Sequence, residues 1–104
     1  MNAGKSTALL QAAYNYSERG MTPYLITAKL DNRKSVSKIA SRIGIEAEAS
    51  VFDLADNLYL KVQSLIKEIT INCILLDEAQ FLSKSQVWQL ARIVDNLKIP
   101  VLCY

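Results

Sequence analysis

Histidine is absent from this sequence, and cysteine, glycine and proline are scarce. The 104 residues contain no histidine, two cysteines, three glycines and two prolines. A zinc site or a disulfide framework needs several cysteine or histidine side chains, so neither is expected within these residues. Cys73 and Cys103 lie at the edges of apolar runs, and we interpret them as buried thiols of a cytoplasmic protein.

Strong net charge and long apolar runs are also missing. Twelve basic and ten acidic residues give a net charge of +2, which predicts no broad surface for nucleic acid or membrane. No apolar run approaches the roughly 20 residues that span a bilayer, and no signal peptide is expected. Apolar residues make up 51% of the chain, which is typical of a globular protein. Residues 1–104 are predicted to form a single domain.

Hydrophobic periodicity alternates between helical and strand patterns along the chain. Helices are predicted over residues 6–19, behind an N-cap at Asp53, and after a capping box that spans residues 83–86. Strands are predicted over residues 23–30, 72–77 and 100–104, and residues 31–44 are predicted to form a loop with at most one helical turn. This order predicts an α/β fold in which helices flank a parallel sheet through right-handed crossovers.

The apolar faces of the second and third helices follow from the same spacing. They are predicted to comprise Leu54, Leu58, Val62, Leu65, Ile66 and Ile69 in the second helix, and Val87, Leu90, Ala91, Val94 and Leu97 in the third.

The first motif is MNAGKST, at residues 1–7. Gly4, Lys5 and Ser6 match the last three positions of the phosphate loop G-x-x-x-x-G-K-[ST], and a predicted helix follows. Gly4 would let backbone amides approach a phosphate, Lys5 would reach the outer phosphates, and the Ser6 hydroxyl can bind magnesium. The alternative is a chance GKST that caps a helix. We expect a strand leading into such a loop to lie inside the sheet, beside the strand that ends at Asp77.

The second motif is LLDEAQ, in which an apolar strand ends in two adjacent carboxylates, Asp77 and Glu78. Ligands bind at the carboxyl ends of the strands in open parallel sheets. Asp77 could hold magnesium through water, and Glu78 could act as a base on a nucleophile. The alternative is a solvated acidic pair that caps the next helix.

Five segments, taken in order, resemble the cytosolic-type (type II) thymidine kinases, which phosphorylate thymidine with ATP. They are MNAGKSTALLQ, TAKLDNR, SRIG, LLDEAQF and IPVLCY, and they extend over nearly the whole chain. The resemblance implies a P-loop nucleotide-triphosphatase-like fold, a transferase of nucleoside salvage and DNA synthesis, ATP and Mg²⁺ as cofactors, and a homo-oligomer that is a tetramer in the family.

The resemblance also implies roles for individual residues. Glu78 would be the catalytic base on the nucleoside 5′-hydroxyl, and Met1 would face the nucleoside. Ser6 and Asp77 would bind magnesium, and Asp31 with Arg33 would match the family's D-x-R beside the phosphates. The expected ATP- and phosphate-binding residues are Asn2, Ala3, Gly4, Lys5, Ser6, Thr7, Asp31, Arg33, Asp77 and Gln80.

Members of that family carry a strand before the phosphate loop. They also carry, after the segment that matches residues 100–104, a lasso-like loop over the base and a small zinc domain with four cysteine or histidine ligands. Zinc is therefore expected only outside these 104 residues, and the 104 residues alone are expected to be catalytically incomplete. Two other functions stay open at this point: a non-catalytic nucleotide-binding remnant, or another P-loop ATPase.

Overall fold

The computed structural model describes the backbone of residues 2–28, 36–40 and 46–104, and the side chains of residues 7–28, 39 and 47–104. The elements are α1 (Asn2–Glu18), β1 (Pro23–Ala28), β2 (Val36–Ala40), β3 (Glu46–Phe52), α2 (Leu58–Leu65), β4 (Cys73–Leu76), a 3₁₀ turn (Ala79–Phe81), α3 (Lys84–Arg92), a π-helical turn (Ile93–Leu97) and β5 (Val101–Cys103). Within the described part of the chain, no helix is both long and apolar enough to cross a membrane.

The strands form one five-stranded sheet in the order β2-β3-β1-β4-β5. β1 pairs in parallel with β3 and with β4, and β4 pairs in parallel with β5. The register places Ile26 of β1 opposite Leu76 of β4, so the two strands end at nearly the same level. The predicted α/β fold with a parallel sheet and flanking helices is confirmed.

The core consists of two apolar layers, one on each face of the sheet. Because side chains alternate along a strand, Ile74 and Leu76 of β4 join the layer under α2 and α3. Cys73 and Leu75 join the opposite layer, where Leu9 of α1 is buried. All four β4 residues are buried, as expected for a central parallel strand.

The outer strand β2 was not predicted, and it runs antiparallel to β3. The prediction of a loop over residues 31–44 is therefore wrong for Val36–Ala40, while residues 31–35 and 41–44 lie outside the described residues. Ile39 is only 3% exposed and packs in the layer beneath α1. Its burial against a distant helix outweighs the polar and basic character of the surrounding segment.

Two predicted helix starts are also wrong. α1 begins at Asn2 rather than at residue 6; Ala3 and Lys5 are strong helix formers, and each residue that extends a helix adds a hydrogen bond. α2 is capped by Asn57, whose side chain accepts a hydrogen bond from the Leu60 N–H at 3.1 Å. Asp53 instead accepts a hydrogen bond from the Ala55 N–H at 2.8 Å and so forms a turn of its own. Both residue types cap helices, and the sequence does not distinguish them.

The predicted apolar face of α3 is only partly buried. Leu90 is buried, but Val87 is 53% exposed and Val94 is 43% exposed. The buried residues are instead Gln86, Leu90 and Ile93, which are at most 6% exposed. Because Gln86 is polar, the apolar spacing of the segment does not include it, and the predicted face is therefore displaced. The capping box at Ser83 and Gln86 is confirmed.

β4 has a strand on each side, which overturns one expectation about the sheet. A strand leading into the GKST segment was expected beside β4, but β1 and β5 fill both positions. α1 packs on the face opposite α2 and α3. A right-handed crossover through α1 would place any strand that precedes α1 on the β5 side of β1. β5 is the edge strand on that side of the sheet.

Candidate active site at the carboxyl end of the sheet

Asp77 and Glu78 follow β4 directly, at the edge of the sheet where the parallel strands end. The Asp77 N–H donates to the Ile26 carbonyl oxygen at 2.7 Å, which continues the β1–β4 pairing by one bond. Asp77 is only 6% exposed, whereas Glu78 is partly exposed. The first carboxylate is thus held inside the sheet edge, and the second has access to solvent.

Glu78 has an unusual backbone conformation. Its φ of 61° and ψ of 44° lie in the left-handed region, which costs a non-glycine residue roughly 1–2 kcal/mol. The chain turns sharply there and enters the 3₁₀ turn, where the Phe81 N–H donates to the Glu78 carbonyl oxygen at 3.1 Å. Residues in such conformations cluster at functional sites, so the strain marks Glu78 as a candidate.

An apolar cleft of about 460 Å³ opens at the same edge of the sheet. One wall comes from the ends of β1 and β3 at Ala28 and Phe52, and a second comes from the loop that begins at Asp53. Phe81, 45% exposed, lines it from the 3₁₀ turn that follows Glu78. This volume is within the range of small-molecule sites, and flat aromatic walls suit a flat apolar ligand.

The first turn of α1 faces this edge as well. A short connection joins Glu18 to Pro23, so the helix ends beside the start of β1. Leu9 and Leu10 then pack over the middle of the sheet, which means that α1 runs antiparallel to β1. The positive end of the helix dipole is therefore directed to the side on which Asp77 and Glu78 lie.

The described side chains include only some of the predicted site residues. Asp77, Glu78 and Gln80 lie together at the end of β4, with Gln80 exposed on the 3₁₀ turn, and Thr7 is partly buried on α1. The backbone of residues 2–6 is helical, and their side chains lie outside the described set. Met1, Asp31 and Arg33 lie outside it entirely, so the proposed roles of these residues stay predictions.

The carboxylates at the end of β4 fit a magnesium ion whose other ligands are water and substrate phosphates. Among the described residues, no three histidine, cysteine, aspartate or glutamate side chains come together as a metal cluster. Magnesium is usually bound through one or two carboxylates, water and substrate phosphates, and a buried aspartate at a strand end suits that pattern. Asp77 is the described residue that would hold it.

Two ionisable side chains beneath α1 have raised pKa values. Burial raises the pKa of the Cys73 thiol and of the Tyr104 hydroxyl, and the neighbouring Tyr16 and Cys73 raise the pKa of Tyr104 further. A raised pKa leaves a thiol protonated and weakly nucleophilic, so Cys73 belongs to the core and not to the chemistry.

The aromatic and loop walls of the cleft were missed in the sequence. Phe81 directly follows the DEAQ segment, and this position was a usable signal for it. Phe52 ends a strand that was not predicted, and Leu54 had been placed on a helix face although it is 69% exposed. Their convergence depends on the pairing of β1 with β3, which joins segments far apart in the chain.

Comparison with known proteins gives a consistent result. The thymidine kinase family model matches residues 1–104. A thymidine kinase of Vibrio vulnificus (strain YJ016) is 57% identical over 104 residues, which are 100% of this chain and 54% of the relative. Thymidine kinases of Jannaschia sp. (strain CCS1) and Shewanella oneidensis are each 56% identical over the whole chain and 53% and 54% of their own lengths.

The chain thus spans about half the length of the curated relatives it matches. The match covers every residue from 1 to 104, including both the GKST and the DEAQF segments. It agrees with the resemblance drawn from the sequence motifs and with the parallel sheet of the structure. The chain belongs to the thymidine kinase family.

Proposed function

We propose that the protein that contains this chain transfers a phosphoryl group from ATP to the 5′-hydroxyl of thymidine. The observation that carries the proposal is the position of Glu78. This residue is held in a left-handed turn, next to a buried aspartate and close to an apolar cleft, in a chain of the thymidine kinase family. A carboxylate near an apolar cleft is suited to accept a proton from a hydroxyl of a ligand bound there.

One end of the proposed site acts on the nucleoside, and the other acts on the phosphates of ATP. Glu78 accepts the proton of the attacking hydroxyl, while the base of the nucleoside lies in the cleft against Phe81. Lys5 and Arg33 compensate the charge of the phosphates at the first turn of α1, together with the magnesium that Ser6 would help to hold. Phosphoryl transfer depends mainly on such positioning and charge compensation, so no covalent intermediate on the protein is needed.

Magnesium would be held by Asp77 together with Ser6, and it would supply charge neutralisation for the phosphates of ATP. The burial of Asp77 at the end of β4 supports this role, because ligands bind at the carboxyl ends of parallel strands. ATP and thymidine are the proposed small-molecule partners. By family membership, the proposal extends to a tetramer in the cytoplasm that acts in nucleoside salvage, without nucleic acid or membrane as partner.

We further propose that residues 1–104 alone bind nucleotide without turnover. The relatives are about twice as long as this chain, and the cleft is partly open to solvent. Closure over a bound substrate keeps water from the reaction, so a cleft that stays open over the nucleoside favours binding over catalysis.

Two measurements, ADP release and nucleotide binding, separate the candidate functions. ADP release is measured with and without thymidine, on the protein at its full natural length and on residues 1–104. Thymidine-dependent ADP release by the full-length protein supports the proposed kinase. Equal release without thymidine would instead indicate another P-loop ATPase, and nucleotide binding without any release would indicate a non-catalytic remnant. Comparable turnover by residues 1–104 would disprove their proposed incompleteness.

A further inference from the structure

Gln86 is a buried polar residue on the first turn of α3, and its side chain makes three hydrogen bonds. It is only 1% exposed. Its Nε2 atom donates to the carbonyl oxygens of Asp53 at 2.7 Å and Asp56 at 3.1 Å. Its Oε1 atom accepts from the Ser83 N–H at 3.0 Å. The amide is therefore fixed in one orientation, with both donor directions aimed at the β3–α2 loop.

The β3–α2 loop, residues 53–57, forms one wall of the apolar cleft. Asp53, Leu54 and Ala55 line the cleft on that side, and Phe81 lines it from the 3₁₀ turn. The loop has its own turn, closed by the Asp53 N–H, which donates to the Asp56 Oδ2 atom at 2.9 Å. Gln86 binds the carbonyl oxygens of Asp53 and Asp56 in this turn. Gln86 lies five residues after Phe81 along the chain.

Gln86 connects the loop wall of the cleft to the first turn of α3, which follows Phe81 along the chain. The loop is bonded to Gln86 from behind, and Ser83 fixes Gln86 in turn, since its Oγ atom accepts from the Gln86 N–H at 3.1 Å. Phe81 precedes this capping box by two residues. Movement of the loop away from Phe81 would break two hydrogen bonds to a buried donor, which is costly where water cannot replace them.

We propose that Gln86 is a positioning residue that fixes the width of the cleft and thereby sets the affinity for the nucleoside. The inference rests on the proposed function, in which the cleft receives the base of thymidine. Gln86 itself touches neither substrate nor phosphate in this proposal. Its effect is confined to the cleft, so ATP binding at the first turn of α1, on the other face of the sheet, should not depend on it.

The chain offers a matched control one turn further along α3. The Oε1 atom of Gln89 accepts from the Leu58 N–H at 2.8 Å, so this residue acts on α2 as an acceptor. A carboxylate can still accept that bond, whereas a carboxylate at position 86 would face two carbonyl oxygens with no proton to donate. Gln86→Glu and Gln89→Glu therefore add the same charge to one helix, but only Gln86→Glu removes hydrogen bonds, namely the two that Nε2 donates.

The test uses the protein at its full natural length and measures steady-state constants for both substrates. Gln86→Glu should raise the KM for thymidine roughly tenfold, because the two hydrogen bonds that hold the loop are lost, with kcat and the KM for ATP within about twofold of wild type. Gln89→Glu should leave all constants within about twofold. Gln86→Met, which removes the donors without adding charge, should also raise the KM for thymidine, and it decides the question if Gln86→Glu does not fold.

Two further readouts separate positioning from general destabilisation. Hydrogen exchange should accelerate at residues 53–57 in the Gln86 variants but not at Ile74 or Leu76 of β4. Lowering the pH from about 8 to about 6 should partly restore the KM for thymidine in Gln86→Glu, because burial raises a carboxyl pKa and a protonated carboxyl can donate one bond. Gln86→Met should show no such recovery.

The outcomes distinguish the two proposals. A wild-type protein without thymidine-dependent turnover would overturn the proposed function, and this inference with it. An active wild type whose folded Gln86 variants keep the normal KM for thymidine would overturn the inference alone. A loss of kcat with unchanged KM, or an equal rise in the KM for ATP, would also overturn it, since either would place the effect outside the cleft.

Discussion

The Ala79 N–H donates to the Tyr104 carbonyl oxygen at 3.0 Å, which ties the residue after Glu78 to the end of β5. The Tyr104 N–H in turn donates to the Leu76 carbonyl oxygen at 2.9 Å, the last residue of β4. The left-handed turn at Glu78 is therefore held on both sides by one neighbouring strand. These bonds hold the backbone of Glu78 in its strained conformation at the edge of the sheet.

Replacement of Glu78 by glutamine should separate binding from chemistry. The amide keeps the shape of the side chain and removes its proton affinity, so we expect kcat for thymidine phosphorylation to fall about 10²- to 10⁴-fold. ATP affinity should change little. Titration with a fluorescent ATP analogue, beside a turnover assay, measures both quantities. Glu68→Gln, at an exposed position after α2, is the matched control. Lost ATP binding with normal turnover of bound substrate would identify Glu78 as a metal ligand.

Glycine at the two left-handed residues should stabilise the fold, with different effects on activity. Glu78 and Lys98 have φ values of 61° and 59°. Glycine adopts this conformation without steric cost, so Glu78→Gly and Lys98→Gly should each raise the free energy of unfolding by up to about 1 kcal/mol. Only Glu78→Gly should abolish turnover. Urea denaturation and the kinase assay test both parts. Destabilisation by Lys98→Gly would show that its side chain contributes more than its backbone strain costs.

Lys5 should be essential for phosphoryl transfer, and arginine should not replace it. Removal of the ammonium in Lys5→Ala should lower phosphoryl transfer by at least about 10²-fold, because the charge of the transferred group loses its compensation. Lys5→Arg should not restore activity, since a planar guanidinium does not replace a compact charge. Lys67→Ala, at an exposed position after α2, provides the control. Normal turnover in Lys5→Ala would exclude the phosphate-loop assignment.

The sequence predicted those parts of the fold that depend on local pattern. The capping box at Ser83 and the continuous apolar run of β4 both have strong local signals, and both are confirmed. β2 and β3 were missed because their stability comes from pairing with each other and with β1, over distances that local periodicity does not record. A helix face was misplaced because Gln86, a buried polar residue, does not count in an apolar pattern.

The candidate site also contains parts that have a local sequence signal and parts that depend on tertiary packing. The position of Asp77 and Glu78 at the end of β4 was predictable, because the apolar run of a buried strand stops there at charged residues. The cleft beside them was not found, since its walls come from three separate segments that end at Ala28, Phe52 and Phe81. Gln86 was identified as a capping residue, but its bonds to Asp53 and Asp56 depend on the tertiary packing of α3.

Stability should fall at alkaline pH through Cys73. Its thiol is fully buried, and burial raises its pKa above the ordinary value of 9.0. A group with a raised pKa in the folded state contributes fully below its unfolded pKa, and this contribution is lost as the pH rises through the folded value. The free energy of unfolding should therefore be nearly constant around pH 7 to 8 and should decrease above about pH 9.

Urea denaturation of wild type and Cys73→Ala across this range tests the argument. The variant should be less stable near neutral pH, because it loses a buried side chain, but its stability should fall less steeply between about pH 8.5 and 10. Tyr104, whose pKa is raised above 10.0, affects a higher range, and Tyr104→Phe should flatten the curve only there. Cys103 also has a raised pKa and remains in both proteins, so some decline should persist in the variant. Identical slopes for wild type and Cys73→Ala would show that the buried thiol does not limit stability in alkali.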